Sequence, residues 1–474
     1  MEDPCFFEIL ETIKERKNTL ILAPGGTGKS VLLKLFFAML REEEEEENHE
    51  NQKGKTVHLT ASTGISAWNI KGRTLHSWCK IELGKYSPEF YILRNSPTKT
   101  GKTIRECKYL FVDEISMIGK NLIEKIDDIL RGIRGNPLPF GGITVVFTGD
   151  FLQLPPVKDE WIFTSERWNS YDFVPFNLTK CRRYQDSRFY AMLLRIRKGK
   201  QTSEDIKVLQ SRVQAYIERE KDLDKLDIHP TILYSKKVDV ASFNAIKLEE
   251  CEDPTEYFYA QDVVQSLNPK NKISQKVLDS YALQLDNASP TLVMLRVGAQ
   301  VMLKVNIDVE SGLTNGSRGV VLAIHKNPDI ITVKFMNNLC FPVPRVVWDC
   351  TDKEREILAT RKQIPLILAW ALTIHGTQSC TLDNVVCSLG KDVFAKGQAY
   401  VALSRVRKLE GLYLSDFLPK SIKVDLMALA FSEEQKKIQE KRAVQEYNFT
   451  NEKGEKLTYD EALQEYLEMY EIVM

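Results

Sequence analysis

Short apolar runs alternate with helical patterns over the first third of the chain. Four of these runs are each followed by turn residues: Thr19 to Ala23, Val57 to Thr60, Tyr109 to Val112 and Thr144 to Thr148. After the first run, Val31 to Leu40 carries apolar residues at helical spacing. Short strands that alternate with helices are typical of a mainly parallel sheet. The pattern therefore predicts an α/β domain.

A second series of strand and helix patterns follows further along the chain. Its strand candidates are Thr231 to Tyr234, Leu366 to Ala371, Val385 to Ser388 and Leu412 to Leu414, and its helix candidates are Val238 to Glu250 and Gln398 to Val406. Between them lie β-type runs separated by Gly, Asn and Pro turns: Ala299 to Val305, Gly319 to Ile324 and Ile331 to Phe335. We therefore expect a second α/β domain that contains a small inserted β domain.

The C-terminal tail from Ser432 is rich in charged residues with spaced apolar positions. This pattern predicts one or two amphipathic helices around a turn at Asn451 to Gly454. The six glutamates Glu42 to Glu47 form a second charged stretch, which is typical of a solvated insertion at the end of a helix.

Composition fits a globular chain of two to four domains. The chain has 474 residues, of which 43% are hydrophobic and 27% are charged, and a domain has roughly 150 residues. The net charge is zero; without the glutamate run, 59 acidic residues remain against 65 basic ones, a net charge of +6. Global charge therefore does not identify a nucleic-acid partner, and any such surface must be local.

No segment has the pattern of a membrane span or a leader. No apolar run approaches the roughly 18 residues of a membrane span. The N-terminus Met1-Glu2-Asp3-Pro4 is acidic, where signal and transit peptides are basic. We therefore expect neither a transmembrane segment nor a removable leader.

A glycine-rich loop links the first predicted strand to the first predicted helix. Ala23-Pro-Gly-Gly-Thr-Gly-Lys-Ser30 matches the phosphate-loop pattern, with alanine at its first position. Lys29 is placed to reach the β and γ phosphates of a nucleotide, and the Ser30 hydroxyl to ligate Mg²⁺. The candidate nucleotide-binding residues are Pro24, Gly25, Gly26, Thr27, Gly28, Lys29 and Ser30. A purely structural glycine turn is the alternative.

Acidic and amide side chains follow two of the other strands. Asp113 is a candidate to hold Mg²⁺ and Glu114 to orient or deprotonate the attacking water. A helix cap is the alternative for these acids. Gln153, in the loop Gly149 to Pro156, carries an amide that is able to sense a γ-phosphate, with a plain turn as the alternative.

Phosphoryl transfer also needs fixed cations, which motors with two facing domains supply from the domain opposite the phosphate loop. Arg183, in Leu178 to Arg183, and Arg405, in Tyr400 to Arg405, are the candidates. A surface salt bridge is the alternative reading for each arginine.

Eight ordered strings resemble the Pif-one (petite integration frequency) family of superfamily-one B DNA helicases. The resemblance covers about Leu20 to Leu418. The strings are Thr60-Ala-Ser-Thr-Gly-Ile-Ser-Ala67, Gly72-Arg-Thr-Leu-His-Ser77, Asp113-Glu-Ile-Ser-Met117, Phe140-Gly-Gly-Ile143, Gly149-Asp-Phe-Leu-Gln-Leu-Pro-Pro156, Gly298-Ala-Gln-Val-Met302, Asn315-Gly-Ser-Arg-Gly319 and Gln398-Ala-Tyr-Val-Ala-Leu-Ser-Arg405.

The resemblance implies a 5′-to-3′ DNA helicase driven by ATP and Mg²⁺, with two RecA-like domains and a small Src-homology-three-like β-barrel inserted in the second. It gives catalytic roles to Lys29, Glu114, Gln153, Arg183 and Arg405, and metal-binding roles to Ser30 and Asp113. The residues that would face DNA, or couple it to the ATP site, are Thr63, Gly64, His76, Thr373, His375 and Gln378.

The implied partners are single-stranded DNA and forked or partial duplexes, with G-quadruplexes and RNA–DNA hybrids as further candidates. The implied roles are genome replication, recombination, repair and telomere maintenance. We expect a monomer that works where its DNA is, in the nucleus, the cytoplasm or a viral replication site.

The resemblance and the patterns together predict the domain boundaries. Residues 1–165 would form the first RecA-like domain, with a small wedge insertion at about 77–104. Residues 166–295 and 366–430 would form the second RecA-like domain, 296–365 the β-barrel, and 431–474 a helical C-terminal extension.

Three positions depart from the family pattern. Gly376 stands where the family usually has Lys, Ser379 where it usually has Gly, and Tyr184 where it usually has Gln. In addition, Phe6 to Asn18 lacks the glutamine that commonly reads adenine. The resemblance therefore implies that this chain lacks the phosphate contact of that lysine and the adenine contact of that glutamine.

Motors that hold single strands without reading bases combine phosphate contacts with ring stacking. Rings beside the relevant motifs are Trp68, His76, Trp78, Trp370 and His375, with core packing as the alternative for the tryptophans. A RecD-like or transposon-associated helicase is the near alternative, although the sequence has no nuclease or relaxase signature. A nucleotide-gated DNA-binding switch or translocase that does not unwind is the alternative from another class.

Overall fold

The computed structural model describes residues 6–47, 56–81, 84–223, 228–266, 274–308, 311–349, 357–378, 380–442, 449–450, 456–457, 459–470 and 472. The chain divides into two compact units. The first comprises Met1–Lys200, Ala395–Gly397 and Lys423–Met474, and the second Gln201–Phe394 and Gln398–Ile422. Within the described ranges, no helix has the length and apolar character needed to cross a membrane.

The first unit contains a six-stranded parallel sheet in the order β3-β2-β4-β5-β1-β6. Its strands are β1 (Thr19–Leu22), β2 (Val57–Ala61), β3 (Arg73–Thr74), β4 (Tyr109–Asp113), β5 (Thr144–Gly149) and β6 (Val174–Asn177). Every residue of β1 and β5 is buried, as expected for central parallel strands that are covered on both faces. The four strands predicted from the first apolar runs are confirmed as β1, β2, β4 and β5.

Helices connect these strands. They are α1 (Phe6–Lys14), α2 (Lys29–Glu47), α3 (Gly64–Asn69), α4 (Leu75–Cys79), α5 (Pro88–Asn95), α6 (Lys99–Glu106), α7 (Lys120–Arg134) and α8 (Ser187–Arg197). The buried face of α7 includes Ile123, Ile126 and Ile133, which recur at helical spacing. Gly135, with a φ of +60°, ends α7 in a left-handed cap.

The first unit continues past the boundary predicted at residue 165. Strand β6 pairs in parallel with β1 and so extends the first sheet. Helix α8 also belongs to this unit, which runs to Lys200 before the chain enters the second unit. The pairing of β6 was not visible in the sequence because Val174-Pro-Phe-Asn177 is too short to give a periodic pattern.

The second unit contains a parallel sheet and an antiparallel β region. Its helices are α9 (Ser203–Leu223), α10 (Lys237–Glu249), α11 (Gln275–Ala288) and α12 (Gln398–Leu403). Its strands are β7 (Thr231–Tyr234), β8 (Glu256–Tyr259), β9 (Gln261–Ser266), β10 (Leu292–Leu295), β11 (Gln300–Leu303), β12 (Arg318–His325), β13 (Ile330–Phe335), β14 (Cys340–Pro344), β15 (Val346–Asp349), β16 (Ile357–Gln363), β17 (Leu366–Leu368), β18 (Ala371–Thr373), β19 (Val385–Leu389) and β20 (Leu412–Phe417).

The parallel sheet has the order β18-β7-β19-β20. The β region consists of a five-stranded sheet, β14-β13-β12-β11-β17, a three-stranded sheet, β15-β16-β9, and the pair β10-β8. Apolar side chains that alternate along β12 and β13, such as Val321, Ile331 and Val333, form its core. The barrel predicted at 296–365 therefore falls within an antiparallel region, and its Src-homology-three-like closure stays a prediction.

One predicted strand is two strands in the structure. Leu366 to Ala371 was expected to be continuous, but β17 pairs antiparallel with β11, whereas β18 pairs in parallel with β7. The chain changes sheets at Ala369 and Trp370, whose backbone groups bond to Gln300 and Ile232 respectively. An apolar run gives no signal for such a change, because both halves are buried.

The C-terminal segment returns to the first unit. It contains α13 (Leu426–Glu440), β21 (Phe449–Thr450), β22 (Lys456–Leu457) and α14 (Tyr459–Met469). The predicted turn Asn451 to Gly454 lies outside the described residues. The Phe431 ring stacks on Phe163 at a centroid distance of 4.1 Å, and the Gln439 side chain accepts a hydrogen bond from the Asn177 N–H at 2.7 Å. Helix α13 is therefore a packed part of the first unit.

Phe431→Ala should destabilise the first unit by about 3–5 kcal/mol, because it deletes a buried ring from an aromatic cluster. Thermal or urea unfolding measures this loss. The matched control on the same helix is Met427→Ala, since Met427 is 57% exposed. Equal stability of the two variants would contradict the docking of α13.

Candidate nucleotide and DNA sites

The phosphate loop joins the end of β1 to the start of α2. Two of its glycines have positive backbone angles, with φ of +88° at Gly26 and +87° at Gly28. Residues other than glycine rarely adopt these backbone angles, which explains the glycines at both positions. The Thr27 hydroxyl donates to the Pro24 carbonyl at 3.0 Å and closes the loop on itself.

Lys29 is buried in this loop and is held by backbone carbonyls. Its Nζ donates to the Ala23 carbonyl at 2.8 Å and to the Pro24 carbonyl at 3.1 Å. Burial lowers the pKa of the ammonium group, and the carboxylates of Glu114, Asp150 and Asp113 oppose that shift. The loop thus holds a cation at the end of β1, next to the positive end of α2.

Asp113 joins the phosphate loop to two strands. Its Oδ2 accepts from the Ser30 hydroxyl at 2.7 Å, and its Oδ1 accepts from the Thr148 hydroxyl at 2.6 Å and from the Glu114 N–H at 2.8 Å. Glu114 is buried and has a left-handed backbone, with φ of 54° and ψ of 49°. Such strain in a non-glycine residue is typical of functional sites.

The oxygens of Ser30 and Asp113 fit a magnesium ion. Mg²⁺ prefers oxygen ligands and is commonly held by one or two protein oxygens together with water and phosphate. A hydroxyl and a carboxylate in contact at the end of a phosphate loop supply that donor set. The helix-cap alternative for Asp113 and Glu114 does not account for these bonds, because the carboxylate of Asp113 accepts hydrogen bonds from hydroxyls of two other elements.

The loop that carries Gln153 is fixed by a buried ion pair. The Arg197 Nη2 donates to Asp150 Oδ1 at 2.6 Å and its Nε to Oδ2 at 2.9 Å, and the Asp150 side chain is fully buried. The Leu152 N–H donates to Asp150 Oδ1 at 3.1 Å, and the Gln153 N–H donates to the Asp150 carbonyl at 3.0 Å. Sequence reasoning missed Arg197, because it lies in the basic run Arg195 to Lys200, where an exposed arginine is the usual interpretation.

Arg183 lies in the first unit, together with the phosphate loop. The N–H groups of Arg182 and Arg183 donate to the Gly26 carbonyl at 2.8 Å and 3.0 Å. A Cβ on Gly26 would lie 2.8 Å from the Arg183 Cβ, so the two segments are in close contact. The expectation that Arg183 comes from the facing domain is therefore corrected, because β6 and the segment after it complete the first sheet rather than beginning the second unit. Tyr184, beside it, stacks on Tyr190 at 5.5 Å.

Arg405 lies in the second unit and is 2% exposed. Its Nη1 donates to the Thr377 carbonyl at 3.0 Å and to the Cys380 carbonyl at 3.4 Å. Its Nε donates to the Val401 carbonyl at 2.8 Å and its Nη2 to the Ser404 hydroxyl at 2.7 Å. The guanidinium therefore fastens the end of α12 to the loop that follows β18, which excludes the surface salt-bridge alternative.

The loop after β18 carries the predicted DNA residues of the second unit. Thr373 ends β18, and its hydroxyl accepts from the Gly376 N–H at 2.9 Å. A Cβ on Gly376 would lie 2.7 Å from that hydroxyl, so lysine at this position would require Thr373 to move. His375 opens a short 3-10 turn, and Gln378 is buried just after it. Ser379 lies outside the described residues.

The predicted DNA residues of the first unit lie at the ends of two short helices. The Thr63 hydroxyl donates to the Ser66 hydroxyl at 2.9 Å, and the exposed Gly64 begins α3. His76 lies in α4, where burial lowers its pKa; burial and Lys237 likewise lower the pKa of His375. Both imidazoles are therefore neutral near pH 7 and offer hydrogen bonds or stacking rather than charge.

The tryptophans beside these motifs differ from the histidines in how deeply they are buried. Trp78 and Trp370 are 4% and 6% exposed, which favours core packing for both. The side chain of Trp68 lies outside the described residues. The two histidines remain the ring candidates for stacking on bases.

Several known proteins are similar to this chain over most of its length. The family model "PIF1-like helicase" matches residues 3–207, and the model "DNA helicase Pif1, 2B domain" matches residues 281–324. The ATP-dependent DNA helicase PIF1 of Xenopus laevis is 34% identical over 439 residues, which cover 90% of this chain and 64% of that relative. The chain thus spans somewhat less than two thirds of the length of this curated relative.

Two solved structures are also similar. The crystal structure of Pif1 helicase from Candida albicans has a TM-score of 0.70 and 30% identity, and the match covers 90% of this chain and 98% of that one. The crystal structure of Pif1 helicase from Bacteroides in complex with ADP-AlF3 and ssDNA has a TM-score of 0.59 and 28% identity, and the match covers 91% and 96% of the two chains.

Fold and site together define a phosphate-loop protein with two RecA-like domains. The chain belongs to the PIF1-like helicase family. The resemblance inferred from the sequence motifs is thereby confirmed.

Lys29→Ala should reduce ATP hydrolysis to background, because it removes the cation nearest to the transferred phosphate. Phosphate release with and without single-stranded DNA measures the loss. Lys17→Ala is the matched control, since the Lys17 side chain is 57% exposed. Near-normal DNA-stimulated hydrolysis by Lys29→Ala would refute the assignment of the site.

Arg405→Ala should bind nucleotide but turn it over slowly, and it should also bind single-stranded DNA more weakly. The second effect follows from the loss of the bonds to the Thr377 and Cys380 carbonyls, which hold the loop after β18. Fluorescent-nucleotide binding, steady-state turnover and DNA anisotropy separate these effects. Arg407→Ala, an exposed arginine two residues further on, is the control. Loss of nucleotide binding with unchanged turnover of the bound fraction would contradict this role.

Proposed function

We propose that this chain is an ATP-dependent DNA helicase that moves 5′ to 3′ along single-stranded DNA and separates duplexes. The observation that carries the proposal is a buried hydrogen-bond network beside the buried Lys29. In this network the Asp113 carboxylate accepts hydrogen bonds from the Ser30 hydroxyl, the Thr148 hydroxyl and the Glu114 N–H. The names of the relatives, which include an ATP-dependent DNA helicase and a protein bound to ADP-AlF3 and ssDNA, support it.

The proposal assigns ATP hydrolysis to residues of the first unit together with Arg405 of the second unit. Ser30 and Asp113 would hold Mg²⁺, which would neutralise charge on the phosphate oxygens. Lys29 exchanges its carbonyl partners for the β and γ phosphates, and this favours the charged form of a lysine whose pKa burial lowers. Glu114 orients or deprotonates the attacking water.

Three further side chains respond to the γ-phosphate in this proposal. The Gln153 amide senses its presence from a loop that the Asp150–Arg197 pair holds together. Arg183 approaches from the segment that crosses Gly26, and Arg405, a residue of the second unit, takes the same role by the family resemblance. Fixed cations of this kind stabilise the charge that develops during phosphoryl transfer.

Single-stranded DNA is assigned to the ends of short elements in both units. Thr63, Gly64 and His76 serve in the first unit, and Thr373, His375 and Gln378 in the second. Neutral imidazoles, hydroxyls and backbone N–H groups hold a strand without reading bases, which suits a motor that must pass any sequence. The bonds from Arg405 to the loop after β18 give the DNA residues of the second unit a direct physical link to the arginine of the hydrolysis site.

Strand separation on two partial duplexes tests the proposal. One substrate carries a 5′ single-stranded tail and the other a 3′ tail, with ATP and Mg²⁺ present and Lys29→Ala as the inactive control. We expect unwinding of the 5′-tailed substrate alone, because the family resemblance implies that polarity. Unwinding from the 3′ tail would overturn the polarity, and hydrolysis without unwinding would favour a translocase or nucleotide-gated switch.

A further inference from the structure

A three-residue segment of the second half of the chain belongs to the first unit. Ala395–Gly397 lies between Phe394 and Gln398, which both belong to the second unit. The Gly397 N–H donates to the Lys423 carbonyl at 2.8 Å, and Lys396 pairs with Asp425 at 3.0 Å. The segment is therefore fastened to the first unit at two consecutive residues.

Gly397 lies against the backbone of the Gln153 loop. A Cβ built on Gly397 would be 2.2 Å from the Gln153 carbonyl oxygen and 2.8 Å from the Leu152 carbonyl oxygen. Its φ of +75° is also rare for residues with side chains. Glycine is thus required here twice, by backbone angle and by the close approach of two carbonyls.

The Gln153 loop has little freedom to move away from this contact. Asp150, which the buried Arg197 holds, accepts hydrogen bonds from the backbone N–H groups of both Leu152 and Gln153. The loop is therefore restrained by the Asp150–Arg197 pair and in close contact with Gly397. A displacement of Gln153 would therefore press on Gly397, because backbone atoms in contact cannot yield as a flexible side chain can.

On its other side, Gly397 is bonded to the first residue of α12. All six residues of α12 are buried, and Arg405 follows two residues after its end. The Gln398 side chain bonds the start of the helix to neighbouring residues of the second unit, since it donates to the Ser235 hydroxyl at 2.8 Å and accepts from the Phe394 N–H at 3.2 Å. About two helical turns, or about 12 Å, thus separate Gly397 from Arg405 along the chain.

We propose that Gly397 is a positioning residue that couples the γ-phosphate sensor Gln153 to Arg405. The inference rests on the proposed function and adds a route by which the nucleotide site influences the DNA loop. A change of state at Gln153 moves Gly397, Gly397 moves the start of α12, and Arg405 passes the movement to the DNA loop through the Thr377 and Cys380 carbonyls.

Gly397→Ala tests the coupling in the full chain. We expect the kcat of DNA-stimulated ATP hydrolysis to fall by about tenfold to a hundredfold, as for a misplacement of about 1 Å in a reacting site. The KM for ATP should change by less than about threefold, because the phosphate loop and Lys29 are untouched. The ratio of turnover with DNA to turnover without DNA should also fall.

Gly135→Ala is the matched control. Gly135 also has a positive φ, +60°, but a Cβ there would have nothing within 4 Å. This variant introduces backbone strain without the close approach, so its kcat and DNA stimulation should equal those of the wild type. Equal losses in the two variants, or wild-type kcat and DNA stimulation in Gly397→Ala, would overturn the inference.

Lys396→Ala covers the case in which Gly397→Ala does not fold. It releases the ion pair to Asp425 without adding atoms beside Gln153. We expect the same signature at smaller amplitude, with reduced kcat and DNA stimulation, unchanged KM and an unchanged melting temperature. Unaltered DNA stimulation in a folded Lys396→Ala protein would then count against the coupling.

The wild-type protein separates this inference from the proposed function. A wild type that neither hydrolyses ATP in response to DNA nor unwinds the tailed substrate would defeat the proposed function and the coupling with it. A wild type that does both, beside a Gly397→Ala variant with the same kinetics, would defeat only the coupling.

Discussion

A buried carboxylate must have its hydrogen bonds satisfied, and this requirement organises the first unit around Asp113. Asp113 is 1% exposed, and its side chain accepts from three donors: Ser30 at the start of α2, Thr148 near the end of β5 and the N–H of the next residue, Glu114. A buried charge left unpaired would cost several kcal/mol. The elements are thereby held in one register, and that register brings the phosphate loop to the acidic pair.

Backbone geometry is the second constraint at the site. Gly26, Gly28 and Gly397 have positive φ, and Glu114 accepts a left-handed conformation despite its side chain. At Gly26 and Gly397 another segment of backbone or side chain comes within 3 Å of where a Cβ would lie. The site therefore depends on close approaches to the backbone of Gly26 and Gly397, which a side chain at either position would prevent.

Arg405 holds together two segments of the second unit that the sequence motifs assign to different tasks. The sequence placed it among the candidates for stabilising phosphate charge, and the structure shows its guanidinium bound to carbonyls of the loop after β18. Arginine suits this position because its planar fork offers five donors in fixed directions. The same bonds connect two parts of the second unit. One is the family motif that runs from Gln398 to Arg405, and the other is the loop that carries Thr373 and His375.

Much of the fold was predictable because local patterns and tertiary demands agree. The runs at Thr19, Tyr109 and Thr144 are apolar because central parallel strands are covered on both faces, so their periodicity and their burial carry the same information. Strand β6 and the division between β17 and β18 were not predictable, since a short or continuously apolar run does not reveal its pairing partner.

By itself, the sequence determined the chemistry that is local in the chain. A phosphate loop such as Ala23 to Ser30 needs its glycines, lysine and hydroxyl at fixed spacing, and this spacing is visible without a structure. Only the tertiary structure decided that Arg183 lies beside Gly26 in the first unit, that Arg197 neutralises Asp150 and that Gly397 lies against Gln153. These contacts join residues far apart in the chain, and no local spacing encodes them because the folding of the sheets brings them together.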